Sequence, residues 1–298
     1  MYMELRTLRY FLMVAREENI TKAAKLLHIA QPSLSRQMMQ LEEELGVKLF
    51  HRGKYQVTLT DDGLRLRRRA QEIVALTDKT EQEFSNQGQN LSGVISIGSG
   101  EYLSSHFLFE IASSFRKEHP MVSFEVFSGN SDNIKERIEK GLLDLGFLLE
   151  PVDVSKYEYV RLPEKEEWGA WVSEQSELSK LDQLRPQDLA HTPLILTQRE
   201  MLQNEITNWF GSYADHLDIA ASGNLNYNLA VMAQCGMGVV LNLNRACEYK
   251  GLKFISLNPK LETNTILVWK KAQAFSPATT AFIEYFKKCV SAIFHDVL

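Results

Sequence analysis

The chain has 298 residues, of which 44% are hydrophobic and 24% charged, a composition typical of a globular protein of one to three domains. Its net charge is −5, and its three cysteines are too few and too scattered for a disulfide framework or a zinc site of paired cysteines. A disulfide-rich secreted scaffold is therefore excluded, and the odd cysteine count favours a reducing cytosol.

The beginning of the chain differs from a secretory signal because Glu4, Arg6 and Arg9 interrupt it. The longest uncharged run, residues 219–244, could span a bilayer in length but contains six asparagine or glutamine residues. We therefore expect a cytoplasmic protein without a membrane partner.

Charge is unevenly distributed along the chain. Residues 1–69 contain 13 Lys/Arg and 8 Asp/Glu, a net +5, whereas residues 70–298 contain 20 and 30, a net −10. A basic head on an acidic body indicates a polyanion-binding segment joined to a part with another task.

The first 46 residues predict three short helices. Apolar residues in the first recur at spacings of three and four, and Thr21 is a plausible N-cap for the second. Pro32 is tolerated at the start of the third helix because it lacks an amide hydrogen, and Gly46 ends that helix.

The third helix has two opposite stripes. Leu34, Met38, Leu41 and Leu45 predict a face packed on the first two helices, and the other face is polar. Glutamine, arginine and serine suit base edges in a major groove, although an ordinary solvated helix face has similar residues. The candidate DNA contacts of this segment are Thr21, Gln31, Ser33, Ser35, Arg36, Gln37 and Gln40.

Residues 4–63 resemble the N-terminal domain of LysR-type transcriptional regulators, through "LRTLRYFLMVAREENITKAAKLLHIAQPSLSRQMMQLEEELGVKLFHR" and "VTLTDDG". The resemblance implies a winged helix-turn-helix over residues 1–61, with Arg52 and Lys54 of the wing near phosphates. Gly53, Tyr55 and Gln56 stand where a more basic wing is common, which implies a lighter grip on the DNA backbone.

Residues 62–90 are predicted to form a linker helix, with Thr60 and Asp61 as caps and a polar boundary at residues 85–93. A seven-residue repeat places Leu66, Ala70, Ile73, Thr77, Thr80 and Phe84 on one seam. Its threonines make a coiled coil only weakly supported, and a single amphipathic helix is the alternative. The resemblance implies that the linker pairs with its twin in a dimer or tetramer.

Residues 91–298 alternate strand and helix patterns, which predicts a parallel α/β architecture. The resemblance implies a two-lobed domain like periplasmic binding proteins, with lobe one at 91–161 and 267–298, lobe two at 162–266, and an effector cleft between them. The overall class is thus α/β, with a winged helix-turn-helix in front.

Ligands of parallel α/β sheets bind beyond the carboxyl ends of strands, where this chain has small polar residues. The start of the helix after Gly100 should offer free amides to a carboxylate or phosphate. No Lys or Arg is in the candidate set, so a neutral polar ligand stays an alternative to an anionic one. The candidate effector contacts are Ser99, Gly100, Ser104, Ser128, Asn130, Thr197 and Asn226.

Three other classes of protein explain the sequence less well. An enzyme lacks support because no nucleophile elbow, HExxH or P-loop occurs, and the histidines show no ligand spacing. Cys235 and Cys247 lack an adjacent basic cluster, and Cys235 is expected in a helix core. A solute-binding protein would not need the basic segment, residues 1–69. A structural DNA-binding protein would leave residues 70–298 without a function.

The interpretation is a sequence-specific regulator of transcription without catalytic residues, metal or cofactor. Its expected partners are double-stranded DNA, a small-molecule effector, further copies of itself and RNA polymerase.

Overall fold

The computed structural model describes residues 3–53, 56–85, 91–245 and 247–296. The chain divides into two compact units, residues 1–87 and residues 88–298. Among the helices within these described ranges, none is long and apolar enough to cross a membrane.

Over its described residues, the first unit consists of four helices and a two-stranded antiparallel hairpin. In chain order the elements are α1 (Leu5–Glu17), α2 (Ile20–Leu26), α3 (Gln31–Leu45), β1 (Phe50–Arg52), β2 (Val57–Leu59) and α4 (Asp61–Ser85). The predicted cap of α2 is wrong: the Asn19 side chain accepts a 2.9 Å hydrogen bond from the amide of Lys22, so the helix begins before Thr21. As predicted, Gly46 ends α3, with a positive φ of 69°.

The core of the first unit explains the apolar stripe of α3. Leu34, Met38 and Leu41 are buried against Phe11 and Val14 of α1. Small Ala23 and Ala24 of α2 are buried in the same cluster and permit close helix approach. Full burial of each large side chain contributes about 1.5–3 kcal/mol, so the orientation of α3 is strongly determined.

The long helix α4 uses different faces for different contacts. Its first turn is capped by Thr60, whose hydroxyl accepts a 3.0 Å hydrogen bond from the Gly63 amide. Leu66, Ala70 and Val74 pack on the core of the first unit. Ile73, Leu76 and Phe84 are 40%, 42% and 72% exposed. The predicted seven-residue seam therefore contains two kinds of residue. Leu66 and Ala70 pack within their own chain, whereas Ile73 and Phe84 are exposed to solvent.

The second unit contains ten strands and six α-helices over its described residues. They are β3 (Gly93–Ser99), α5 (Ser105–Glu118), β4 (Val122–Ser128), α6 (Ser131–Glu139), β5 (Leu145–Leu149), β6 (Tyr157–Ser173), β7 (Gln183–Leu184), α7 (Pro186–Leu189), β8 (Leu194–Thr197), α8 (Glu200–Phe210), β9 (Ile219–Gly223), α9 (Asn226–Gln234), β10 (Val239–Leu243), β11 (Leu252–Leu257), β12 (Glu262–Lys270) and α10 (Pro277–Asp296). Two short 3₁₀ helices, Glu177–Lys180 and Gly211–His216, complete it.

Strand β6 belongs to two sheets and so defines two lobes. Residues 157–167 of β6 pair with β12, which joins the order β4-β3-β5-β12-β6 of lobe one. Residues 168–173 pair with β10 on one side and β11 on the other, within lobe two. The pairs β3/β4, β3/β5, β8/β9 and β8/β10 are parallel, as expected of strands linked by crossover helices.

Helices cover both faces of each lobe's sheet. In lobe one α5 and α10 bury Phe115, Phe282 and Phe286 against one face, and α6 packs Ile134 and Ile138 on the other. In lobe two, α7 and α8 share one cluster while α9 belongs to another. Because parallel sheets need cover on both faces, this layering orients the carboxyl ends of the strands as an edge free for a ligand.

Candidate functional site

The exposed face of α3 is the first candidate site. Gln31, Ser33, Arg36 and Gln40 are exposed, as is Thr21 of α2, while Ser35 and Gln37 are half-buried. Gln40 donates a 3.1 Å hydrogen bond to Glu44, one turn later in α3. The Oε1 atom of Gln37 is shielded from solvent and has no hydrogen-bond partner among the described residues.

Charge separates the two halves of α3. The first half contains Arg36 and no acid, whereas Glu42, Glu43 and Glu44 cluster near its end. A polyanion would therefore meet the N-terminal half with less repulsion. Helices of this kind contact base edges with their N-terminal residues, so the charge pattern agrees with that use.

The hairpin after α3 is positioned by a buried carboxylate. Glu42 is only 2% exposed, and its Oε1 accepts hydrogen bonds of 2.8 Å from the Leu49 amide and 3.2 Å from the Phe50 amide. Arg52 ends β1 opposite Val57, whereas Lys54, the other predicted phosphate contact, lies outside the described residues. Glu42 thus connects the end of α3 to the start of the wing.

The second candidate site is a cavity of about 100 Å³ between the two lobes. Strand ends from both lobes reach it, as the sequence pattern predicted. Of the candidate effector residues, those that line it are Gly100, Ser128, Asn130, Thr197 and Asn226. Leu202, Leu225 and Leu229 give it an apolar wall.

Two candidate effector residues have other tasks. Ser104 is 1% exposed, and its hydroxyl donates to Glu166 Oε1 at 2.6 Å and lies 2.9 Å from the Thr265 hydroxyl. Ser99 is buried and its hydroxyl donates to the carbonyl of Gly100 at 2.8 Å. Neither residue lines the cavity, because each hydroxyl is used to hold the fold.

The amides at the start of α5, expected to receive the effector, already have an anionic partner. The amides of Leu103 and Ser104 donate to the Glu166 carboxylate at 3.0 and 2.9 Å. Glu166 comes from β6 and is 1% exposed. A helix N-terminus stabilises a carboxylate, and here the protein supplies that carboxylate itself.

Two arginines that the sequence analysis missed line the cavity. Arg199 follows β8 and Arg245 follows β10, in each case two residues after the strand ends. Burial lowers the pKa of both guanidinium groups. The rule of strand carboxyl ends could have found them, had it been extended beyond small polar residues.

Hydrogen bonds cross the cavity from lobe to lobe. Asn226 of lobe two donates to Glu101 of lobe one at 2.6 Å and accepts from Asn242 at 2.8 Å. Arg199 donates to the carbonyl oxygens of Leu149 and Pro151 in lobe one, at 3.2 and 2.9 Å. The lobes are thus held together by contacts that a bound ligand could replace or strengthen.

The C-terminal end of α9 departs from expectation. Cys235, expected in a helix core, caps the end of α9 and is exposed, and Cys247 is exposed as well. Burial and hydrogen bonding to Cys247 raise the pKa of neighbouring Tyr249 to about 12.

Among the described residues, no group of three or more His, Cys, Asp or Glu could hold a metal ion.

Comparison with known proteins gives two family matches. Residues 5–64 match the model described as "Bacterial regulatory helix-turn-helix protein, lysR family". Residues 88–290 match the model described as "LysR substrate binding domain". Together the two matches cover the head and nearly all of the two-lobed unit.

Individual relatives agree with these matches. The uncharacterized HTH-type transcriptional regulator YcgK of Bacillus subtilis (strain 168) is 25% identical, over 99% of this chain and 97% of that protein. The HTH-type transcriptional activator IlvY of Salmonella typhimurium is 34% identical over about half of each chain (50% and 50%). The crystal structure of CbnR, a LysR family transcriptional regulator, shares the fold with a TM-score of 0.78 and 20% identity, over 97% of this chain and 99% of that one.

Proposed function

Because the chain belongs to the LysR family of DNA-binding transcriptional regulators, we propose that the N-terminal half of α3 reads base edges of its operator. The carrying observation is the exposed, acid-free face of Gln31, Ser33 and Arg36, on a helix whose opposite face is fixed in the core. A helix held rigidly on one side and polar on the other can enter a major groove in a single orientation. Thr21, Ser35, Gln37, Gln40, Arg52 and Lys54 complete the proposed DNA contacts.

The two-lobed unit is the substrate-binding domain of this family, and we assign its effector to the cavity between the lobes. The proposed contacts are Gly100, Ser128, Asn130, Thr197 and Asn226. A ligand changes DNA binding only if it binds two lobe arrangements unequally, and a tenfold preference supplies about 1.4 kcal/mol. The hydrogen bonds from Asn226 and Arg199 to lobe one would change if the lobes moved relative to each other, so they would differ between two lobe arrangements.

Self-association is proposed through the free face of α4. Ile73, Leu76 and Phe84 are apolar and exposed, and nothing in the described part of the chain covers them. Two heads on one DNA would contact half-sites about 10 base pairs, or a multiple of that, apart. Of the two assemblies expected, dimer or tetramer, this face accounts for the dimer.

We propose a cytoplasmic localisation, because promoter DNA and RNA polymerase are present there. Crystallised CbnR in complex with its target DNA resembles this chain with a TM-score of 0.76 and 21% identity. That likeness concerns the fold. The proposal of DNA as partner rests on the match of the head to its family and on the charge of α3.

Replacing Arg36 by alanine tests base reading. Loss of one bidentate contact should cost about 1–3 kcal/mol of discrimination, so binding to the DNA upstream of the protein's own gene should weaken far more than binding to random DNA. Gel shifts at fixed salt measure both affinities. Arg69→Ala, which removes an exposed arginine of α4 paired with Glu72, is the control. Equal weakening on both DNAs would assign Arg36 to phosphates and count against base reading.

Replacing Ile73 and Phe84 together by glutamate tests self-association. Burying two carboxylates in an apolar interface is costly, so the mass in light scattering should fall below that of the wild type, to the monomer if the wild type is a dimer. Ala75→Glu is the matched control, because a residue two positions on is about 200° around the helix. A wild-type mass in the double variant would show that this face of α4 does not pair.

A further inference from the structure

Among the described residues that line the cleft, Arg245 has two side-chain nitrogens shielded from solvent and without a hydrogen-bond partner, whereas Arg199 has one. We infer that the cleft binds a small organic monoanion, a carboxylate, whose charged group pairs with Arg245 and whose apolar body meets the leucine wall. This inference deepens the proposed effector site and rests on it. It also moves the anion from the start of α5, where the sequence placed it, to the guanidinium after β10.

The hydrogen-bonding state of Arg245 is the first argument. Its Nε and Nη1 atoms are shielded from solvent and have no hydrogen-bond partner among the described residues. Burial lowers the pKa of Arg245, yet a guanidinium stays protonated in proteins. Arg245 is half-buried as a residue, but its shielded donors are unfavourable until an acceptor reaches them, and a carboxylate matches the planar fork of a guanidinium.

The surrounding acids leave Arg245 available. Glu101 and Glu166 are the two carboxylates that act on its charge from nearby. Glu166 accepts from the start of α5, and Glu101 accepts from Asn226. The tyrosines Tyr102 and Tyr249 that also act on Arg245 are neutral at physiological pH. No hydrogen bond joins Arg245 to any of the four within the described residues.

Arg199 differs from Arg245 in being held by the protein. Two of its donors reach the carbonyls of Leu149 and Pro151, and its Nε lies 3.8 Å from an Asp132 oxygen. The charged side chains that line the cavity are Arg199, Arg245 and Glu101. Because Asp132 lies beside Arg199, Arg245 is the guanidinium left to pair with a ligand, and a single carboxylate is enough to occupy its planar fork.

The remaining lining defines the body of the ligand. Leu202, Leu225, Leu229 and Leu243 are apolar and lie on the lobe that carries Arg245. The cavity of about 100 Å³ is smaller than the engineered 150 Å³ cavities that hold benzene, so the body beyond the carboxylate should have roughly two to five carbon atoms. Short aliphatic monocarboxylates satisfy the charge, the size and the apolar wall.

The test compares acids with their neutral amides on the full chain. The probes are propionate, isovalerate and hexanoate, each with its carboxamide, measured by calorimetric titration and by thermal shift. We expect at least one acid to bind and raise the melting temperature by several degrees at saturation, and its amide to bind far more weakly. Arg245→Gln should weaken acid binding by roughly 100-fold, and Arg245→Lys should weaken it less.

Arg116→Gln is the matched control, because Arg116 is exposed on α5 and lies outside the cavity lining. Equal binding of acid and amide, unchanged acid binding in Arg245→Gln, or binding of none of the three acids would each overturn the inference. Gel shifts on the upstream DNA accompany every variant and show that the chain is folded. Retained DNA binding with no acid binding would refute the ligand class alone, whereas loss of specific DNA binding by the wild type would refute the proposed function.

Discussion

Replacing Glu166 by alanine is expected to lower the free energy of unfolding of the two-lobed unit by about 2–5 kcal/mol. Glu166 is buried and accepts hydrogen bonds from the amides of Leu103 and Ser104 and from the Ser104 hydroxyl. Without the carboxylate, these donors at the start of α5 lose their acceptor while they stay away from water. Denaturant unfolding followed by circular dichroism measures the loss.

Two further variants separate the cause of that loss. Glu166→Gln keeps an acceptor oxygen without the charge and should cost roughly half as much, since charged hydrogen bonds are about twice as strong as neutral ones. Glu164→Ala changes an exposed residue of the same strand and should have little effect. If Glu166→Ala were as stable as Glu164→Ala, the carboxylate would not hold α5.

Replacing Glu42 by alanine should destabilise the DNA-binding unit by about 2–4 kcal/mol, because the amides of Leu49 and Phe50 are then left without an acceptor. Both residues are buried; Leu49 precedes β1, and Phe50 is its first residue. The start of the wing would lose its fixed distance from α3. We therefore expect weaker DNA binding even at temperatures where the variant is fully folded.

Unfolding curves and gel shifts on the same preparation distinguish these two effects of the Glu42 substitution. Glu43→Ala is the control, because Glu43 is the next residue of α3 and is exposed. Glu42→Gln should restore most of the stability, since an amide oxygen can accept from both donors. A stable Glu42→Ala variant with wild-type DNA affinity would show that the wing is held by other contacts.

The helix-turn-helix could be derived from sequence because its signals are local. The stripe of Leu34, Met38 and Leu41, the proline at the start of α3 and the glycine at its end each act within a few residues. The cap of α2 was misassigned because Asn19 and Thr21 are both good capping residues, and only the geometry of the turn selects between them. The role of Glu42 depends on its burial, which an acidic triplet at a helix end does not reveal.

The cleft was predicted in position and only partly in chemistry. The rule of strand carboxyl ends selected Gly100, Ser128, Asn130 and Thr197, which line the cavity. The same residue types at Ser99 and Ser104 turn inward, and a sequence does not say which way a serine faces. Arg199 and Arg245 were missed because a lone arginine after a strand is usually on the surface, and the burial of Arg199 depends on its contacts with lobe one.

The two strands that connect the lobes, β6 and β12, determine how a chimera of this protein can be designed. The chain passes from lobe one to lobe two through β6 and returns through β12. These two strands pair with each other at the boundary, where Glu167 lies opposite Glu262. A chimera that borrows lobe two from a relative must therefore exchange both strands at one matched register. A junction displaced by one residue would turn the side chains of that strand to the opposite face of the sheet. A chimera with the effector specificity of a relative therefore has two junctions, one in β6 and one in β12, and both must be designed together.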